Sequence, residues 1–216
     1  MYRPNILMRG LSWIRPVILK RTKGDKNPVL EISMHRGRLM LDAQKVNYSY
    51  GSLHTVMEHA LLHAILVYGT EPASALILGY GAGSAAALIG DMFPECEIVG
   101  IEHDESVIKL ADKYFPVRQA VLHHADALLW LRENTGSFDL VICDLFTEDS
   151  IPAFTKEPEF FNLIAEKLNV GGVLIQNTMF TNDDWKPLYD YFSGFWQNAV
   201  IKRMNQANYL MFGQKR

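Results

Sequence analysis

The chain has 216 residues, 49% of them hydrophobic and 21% charged, with a formal net charge of −3. That length supports one substantial domain with its own core, and no apolar run reaches the roughly 18–20 residues of a membrane span. Arg3, Arg9 and Arg15 interrupt any secretory pattern, and Cys96 and Cys143 lie in no metal-ligand spacing, so a reducing cytoplasm without a membrane partner is expected.

The charge is unevenly placed. Residues 1–45 carry ten Lys/Arg against three Asp/Glu, a balance of +7, and the remainder carries −10. Such asymmetry reads either as an arm for an anionic partner or as a solvated hairpin. It also fits an arm that docks on the acidic body or on a second subunit, giving a homodimer through the N-terminal region. No basic run is interleaved with aromatics, so nucleic acid is not the expected partner.

Residues 1–15 have no readable pattern. Residues 16–20, 29–35 and 38–42 read as short strands, separated by Lys23-Gly24-Asp25-Lys26-Asn27-Pro28 and by Arg36-Gly37. They form an expected small β appendage over 1–51, ahead of a main unit over 52–216. Residues 44–51 are polar and aromatic and suit a lip over a pocket, with Tyr50 as a candidate substrate contact. Ser52–Tyr68 reads as an amphipathic helix that carries His54, His59 and His63. The i, i+4 pair His59/His63 lacks the H-E-x-x-H arrangement and a third ligand, so no metal is expected. His54 is a second candidate for the pocket lip.

Residues 75–78 are a buried-strand run that stops at Gly79, Gly81 and Gly83, before a helix over 84–92. Strand, glycine turn and helix N-terminus make a place where backbone N–H groups point outward and a ligand approaches closely. A second strand, 98–101, ends in Glu102, whose carboxylate can accept from both hydroxyls of a ribose. The ligand is therefore a nucleoside-bearing cofactor. Gly81-Ala82-Gly83-Ser84-Ala85-Ala86 also fits the loose dinucleotide fingerprint, whereas Gly79-x-Gly81-x-Gly83 is the glycine loop of S-adenosylmethionine enzymes.

Further on, Asp104 caps an expected helix over 105–114. A strand over 121–123 leads into Ala125-Asp126-Ala127 and a short helix to Leu131. Residues 140–144 form a fourth buried strand ending in Asp144, and 158–168 a helix. Gly171-Gly172 reads as a turn, 173–176 as a fifth strand with Asn177 at its end, and 184–192 as a helix. Strands over 199–204 and 209–212 flank the hairpin residues Asn205-Gln206-Ala207-Asn208. Alternating strands and helices imply an α/β fold, a Rossmann-like parallel sheet with a terminal antiparallel hairpin. Pockets in such sheets open at strand carboxyl ends, where Gly79, Glu102, Asp126 and Asp144 all stand.

With those positions and the runs L-D-A-Q (41–44), L-H-T-V-M-E-H (53–59), L-G-Y-G-A-G-S (78–84), G-I-E-H-D (100–104), A-D-A-L-L-W-L (125–131) and V-I-C-D (141–144), the chain resembles the spermidine-synthase-like branch of the class I S-adenosylmethionine-dependent methyltransferase superfamily. The resemblance covers about residues 30–178. It implies that Gly79, Gly81 and Gly83 cradle the cofactor, Glu102 binds its ribose, Asp126 accepts from the adenine amino group, and Asp144 is the catalytic candidate.

Three departures bear on chemistry. Aminopropyltransferases of that branch carry Asp where this chain has Ala82, a second fourth-strand Asp where it has Thr147, and Tyr where it has Leu53. A dicationic diamine needs such carboxylates and acceptors, although Glu148 or Asp149 lies within a one- or two-residue shift of the lost carboxylate. The expectation drawn from the sequence is a methyltransferase that uses S-adenosylmethionine on a small-molecule or protein acceptor. The alternatives are a polyamine aminopropyltransferase using decarboxylated S-adenosylmethionine, and a non-catalytic nucleoside-binding module. Tyr50, His54 and Asn177 are the expected substrate contacts.

Overall fold

The computed structural model describes residues 4–26, 28–43, 52–146, 150–180, 185–204 and 208–216. Tyr50, Thr147, Glu148 and Asp149 fall outside these, as does the end of the N-terminal unit at residue 51.

Seven strands form the main sheet: β4 (Ser74–Leu78), β5 (Glu97–Glu102), β6 (Ala120–His124), β7 (Phe138–Cys143), β8 (Leu168–Met179), β9 (Gln197–Arg203) and β10 (Asn208–Gln214), in the order β6-β5-β4-β7-β8-β10-β9. The pairs β4–β5, β4–β7, β5–β6 and β7–β8 are parallel. Strand β10 is antiparallel to both β8 and β9, so it is the reversed strand expected from the closing hairpin. Order reverses at β4, the first strand of the sheet in sequence, the place where sheets of this kind open a crevice beyond the strand carboxyl ends.

Burial on both faces explains the continuous apolar runs of the central strands. Along β7, β8 and β10, Leu140, Ile142, Val173, Ile175, Leu210 and Phe212 point to one face. There they meet α2 (Ser52–Tyr68) and α3 (Ser84–Met92) through Met57, Leu61, Ala86 and Ile89. Alternate residues Val141, Leu174 and Met211 point to the other face, with Leu131, Phe160, Phe161, Ile164 and Phe192 from α5 (Ala127–Glu133), α6 (Pro158–Glu166) and α7 (Trp185–Phe195). Each such fully buried aliphatic side chain contributes about 1.5–3 kcal/mol of apolar burial.

The remaining strands, β1 (Val17–Thr22), β2 (Leu30–His35) and β3 (Arg38–Ala43), make the expected small antiparallel sheet. Its Leu30, Ile32 and Leu41 share a core with Ala82 of the glycine turn and with Val107, Leu110 and Tyr114 of α4 (Glu105–Tyr114). Asp104 joins the two layers. One of its oxygens caps α4 through the Ser106 N–H at 2.9 Å, and the pair also accepts from the Asp25 and Lys26 N–H groups.

Two elements differ from expectation. Residues 6–11, which show no readable pattern, form helix α1 (Ile6–Leu11), opened by the Asn5 side chain accepting from Leu7 N–H. The expected turn at Gly171-Gly172 is instead an irregularity inside the twelve-residue strand β8, with Gly171 at φ +80° and the register to β7 shifting there. Three extra residues of β8 lie between the Phe138–Leu168 and Leu140–Val173 pairs, and the Gly171 N–H and Gly172 carbonyl bond instead to the Lys215 backbone on the other side.

Candidate active site

The glycine turn after β4 is held to β5 by its own backbone. Gly79 and Tyr80 both donate their N–H groups to Ile101 O at 3.0 Å, and Gly79, Gly81 and Gly83 take φ of +83°, +56° and +78°. A Cβ on Gly79 would lie 2.4 Å from the Asp144 carbonyl oxygen, so the ends of β4 and β7 touch only because residue 79 has no side chain. Gly83 is required for another reason. Its missing Cβ, like that of Gly100 on β5, leaves room for the ring of Tyr80, which is buried between them. Burial pushes the Tyr80 phenol above its ordinary range. Gly83 also opens α3 without a side-chain cap, so no capping side chain takes up the first-turn N–H groups of that helix.

Glu102 is 3% exposed and sits against this turn. Its Oε2 accepts from the Gly81 N–H at 3.0 Å, and its Oε1 accepts from the His103 and Asp104 N–H groups at 2.9 and 3.1 Å. The His103 ring lies 3.0 Å from Oε1, and this hydrogen bond raises the imidazole above its ordinary value against the opposing effect of burial. Among the described residues Oε2 has a single donor, the Gly81 N–H, and so retains acceptor capacity. His103 was missed by the sequence reading; its signal was an imidazole directly after the strand-end carboxylate.

Asp126 stands at the start of α5, exposed, with Oδ1 accepting from Leu129 N–H at 3.0 Å. The cap leaves its second oxygen for another donor. Ala125 N–H donates to Glu102 O at 3.0 Å, which ties the end of β6 to the end of β5.

Asp144 follows β7 directly, its N–H donating to Leu78 O at 2.8 Å. Its half-buried carboxylate accepts from Asn177 Nδ2 at 2.9 Å, and burial pushes it up from 3.8 to about 6 despite that bond. Asn177, expected from the sequence as a substrate contact, is 2% exposed and reaches Asp144 itself.

His54, near the start of α2, lines a cavity of about 790 Å³ together with Ala82, Gly83 and Ser84. The opposite wall comes from the β2–β3 hairpin and the segment after α4, while Glu102, Asp126 and Asp144 do not line it. The glycine turn thus has two sides, one carrying the carboxylates and the other carrying His54. Among the described residues no group of three His, Cys, Asp or Glu is placed to hold a metal, and no helix is long and apolar enough to cross a membrane. His63 points elsewhere, with Nδ1 2.9 Å from Lys202 Nζ and its ring edge on Phe212.

Known proteins share this fold and parts of this sequence. The spermine/spermidine synthase domain matches residues 54–189. A probable polyamine aminopropyl transferase of Bifidobacterium longum is 34% identical over 112 residues, covering 51% of this chain and 25% of that protein. The chain spans less than half the length of the curated relatives it matches. Among solved structures, a probable spermidine synthase from Corynebacterium glutamicum superposes with a TM-score of 0.74 at 19% identity, over 92% of this chain and 80% of that one. Human methyltransferase-like protein 13, solved in complex with SAH, superposes with a TM-score of 0.63 at 21% identity, over 77% of this chain and 83% of that one. At these identities the structures establish a class I methyltransferase-like fold.

Proposed function

The chain belongs to the spermine/spermidine synthase domain family, and on that premise we propose that it moves an alkyl group from a sulfonium-bearing adenosine donor to an amine. Aminopropyl transfer from decarboxylated S-adenosylmethionine is the leading form, because the family match and the relative named for that activity favour it over the methyl transfer expected from the sequence. The observation that carries the proposal is the Glu102–Gly81 contact at 3.0 Å beside the Gly79–Asp144 contact, which joins a nucleoside seat to a carboxylate beside it.

The residues present fit such a donor. The uncapped start of α3, the backbone at Gly79 and the acceptor capacity of Glu102 Oε2 provide the seat, with Asp126 assigned to the adenine amino group. When bound, the donor supplies an electrophilic carbon and a neutral thioether leaving group. An amine acceptor reaches the crevice as an ammonium and must lose a proton before it can attack. Asp144, poised at about 6, is charged at neutral pH and basic enough to attract that ammonium and take the proton. Because Ala82 and Leu53 stand where diamine-binding relatives carry Asp and Tyr, the acceptor is an amine whose second charge is not held at those positions. Those same departures favour a second reading, methyl transfer from S-adenosylmethionine.

Calorimetric titration with decarboxylated S-adenosylmethionine, S-adenosylmethionine, their two thioether products and NAD, followed by mass analysis of amine products, separates the readings. Tighter binding of the decarboxylated donor and an aminopropyl increment support the leading form. A methyl increment replaces it with the second reading, and nucleoside binding without turnover on amine or protein acceptors leaves a binding module.

We also propose a homodimer contact through the N-terminal region. Helix α1 buries none of its residues, and Ile6, Leu7, Trp13 and Ile14 are exposed. Sedimentation velocity tests this contact: a protein that stays monomeric at every concentration overturns it.

A further inference from the structure

Three side chains lie in one row across the carboxyl-end rim of the sheet. Asp144 continues the column Leu140–Ile142 of β7, and Asn177 continues Val173–Ile175 of β8. Asn208 continues Phe212–Leu210 of β10, which runs the other way. Cross-strand partners share a face, Asn177 pairs with Leu210, and Asn208 lies two residues from Leu210, so the two asparagines are diagonal neighbours. Parallel strands bring their last residues to this rim, whereas the reversed strand brings its first.

The hydrogen-bond direction along the row follows from Asp144. A carboxylate only accepts, so Asn177 must present its NH₂ group to it, at 2.9 Å. The Asn177 carbonyl oxygen then faces Asn208, which supplies its own NH₂ group at 3.4 Å, a long contact for a hydrogen bond. Without a donor at 208, the buried Asn177 carbonyl oxygen loses this partner, and the amide is held in its orientation by Asp144 alone. Its flipped form would aim a carbonyl oxygen at the carboxylate.

We infer that Asn208 is a positioning residue, which acts through Asn177 to hold Asp144 as an oriented carboxylate with one oxygen left for the acceptor. The inference rests on the transferase reading for its catalytic consequence, and its structural half stands without that reading. Cys143, the titratable neighbour on β7, is fully buried and its thiol is pushed up to about 12, so it stays neutral across the range tested. Among the described residues no charged side chain from β4, β8 or β10 shifts Asp144; burial raises it and Asn177 opposes that rise.

The test compares Asn208→Asp with Asn208→Ala. Asn208→Asp keeps the shape but replaces the donor with a charged acceptor, so Asn208→Ala, which removes the donor without adding charge, is the decisive variant. Carboxyl NMR titration of Asp144 reads the relay without turnover, and steady-state kinetics reads its consequence. Both variants are expected to raise the Asp144 pKa further, Asn208→Asp more than Asn208→Ala. They should lower kcat by about five- to tenfold for Asn208→Ala, the loss of one hydrogen bond, with nucleoside affinity within about twofold of wild type. Asn208→Gln, which keeps an amide donor, should recover part of both. An unchanged Asp144 pKa in folded Asn208→Ala overturns the inference. A shifted pKa in a protein without turnover upholds the relay and overturns only the transferase reading.

Discussion

The two halves of the crevice are built from different materials. At the β4–β5 end, backbone groups hold the site: Glu102 accepts N–H groups from Gly81, His103 and Asp104, and the turn itself hangs on Ile101 O. At the β7–β8–β10 end, side-chain amides hold it, in the row Asp144–Asn177–Asn208. Backbone donors are supplied by almost any residue, so the first half is constrained mainly in its glycines and its carboxylate. The second half changes with every side chain, and there a shared scaffold is free to change acceptor.

If that contrast is right, the largest effect comes from Gly79→Ala. The residue combines φ +83° with a Cβ position 2.4 Å from Asp144 O, and the substitution should destabilise the fold by about 2–4 kcal/mol in urea unfolding. A loss below about 0.5 kcal/mol would mean that β4 and β7 separate easily.

Next comes Glu102→Gln, which turns an acceptor-only group toward N–H donors into one that also carries an NH₂. We expect at least a tenfold loss of adenosine-donor affinity by calorimetry, the scale of one charge-assisted hydrogen bond. Wild-type affinity would detach Glu102 from the nucleoside.

Asp144→Asn should divide the halves cleanly, lowering turnover about a hundredfold or more while leaving donor affinity within about twofold. Wild-type kcat should rise with pH through about 6, as Asp144 ionises, and this inflection should vanish in the variant. Stability has the opposite sign. The folded value of about 6 lies above the ordinary 3.8, so the stabilising contribution is complete below 3.8 and is lost as pH rises through 6. Asp144→Asn should therefore gain stability relative to wild type at pH 8 more than at pH 4. Equal differences at both pH values would show that Asp144 is not burdened by burial.

The smallest effect is Asp126→Ala. Removing the α5 cap should destabilise by about 1 kcal/mol, whereas Asp126→Asn should keep the cap. If Asp126→Asn binds adenosine donors as wild type does, the residue is a cap and nothing more.

Much of this molecule is legible in one dimension. Helices Ser52–Tyr68, Ser84–Met92 and Glu105–Tyr114 coincide with their periodic patterns, and the buried strands with their apolar runs, because local propensity and burial agree there. Helix α1 was not legible, since six residues, four of them apolar, are too few to show a helical period. The twelve-residue extent of β8 was hidden too, because Gly171-Gly172 signals a turn until the distant Lys215 backbone takes up their hydrogen bonds.

For the candidate site, the sequence alone located Gly79, Glu102, Asp126 and Asp144 at strand ends, since the end of a parallel strand is a local event marked by a glycine or a carboxylate. It also identified the family, through runs of contiguous residues. Tertiary structure decided what those groups touch. Tyr80 fills the space left by Gly83 and Gly100, Asp126 caps a helix, and Asn177 turns to Asp144 with Asn208 behind it. Residues 144, 177 and 208 become neighbours only through the crossover that sets β8 beside β7 and the reversal that sets β10 beside β8. Contacts between such distant positions leave no periodicity in the chain, and only the folded sheet brings them together.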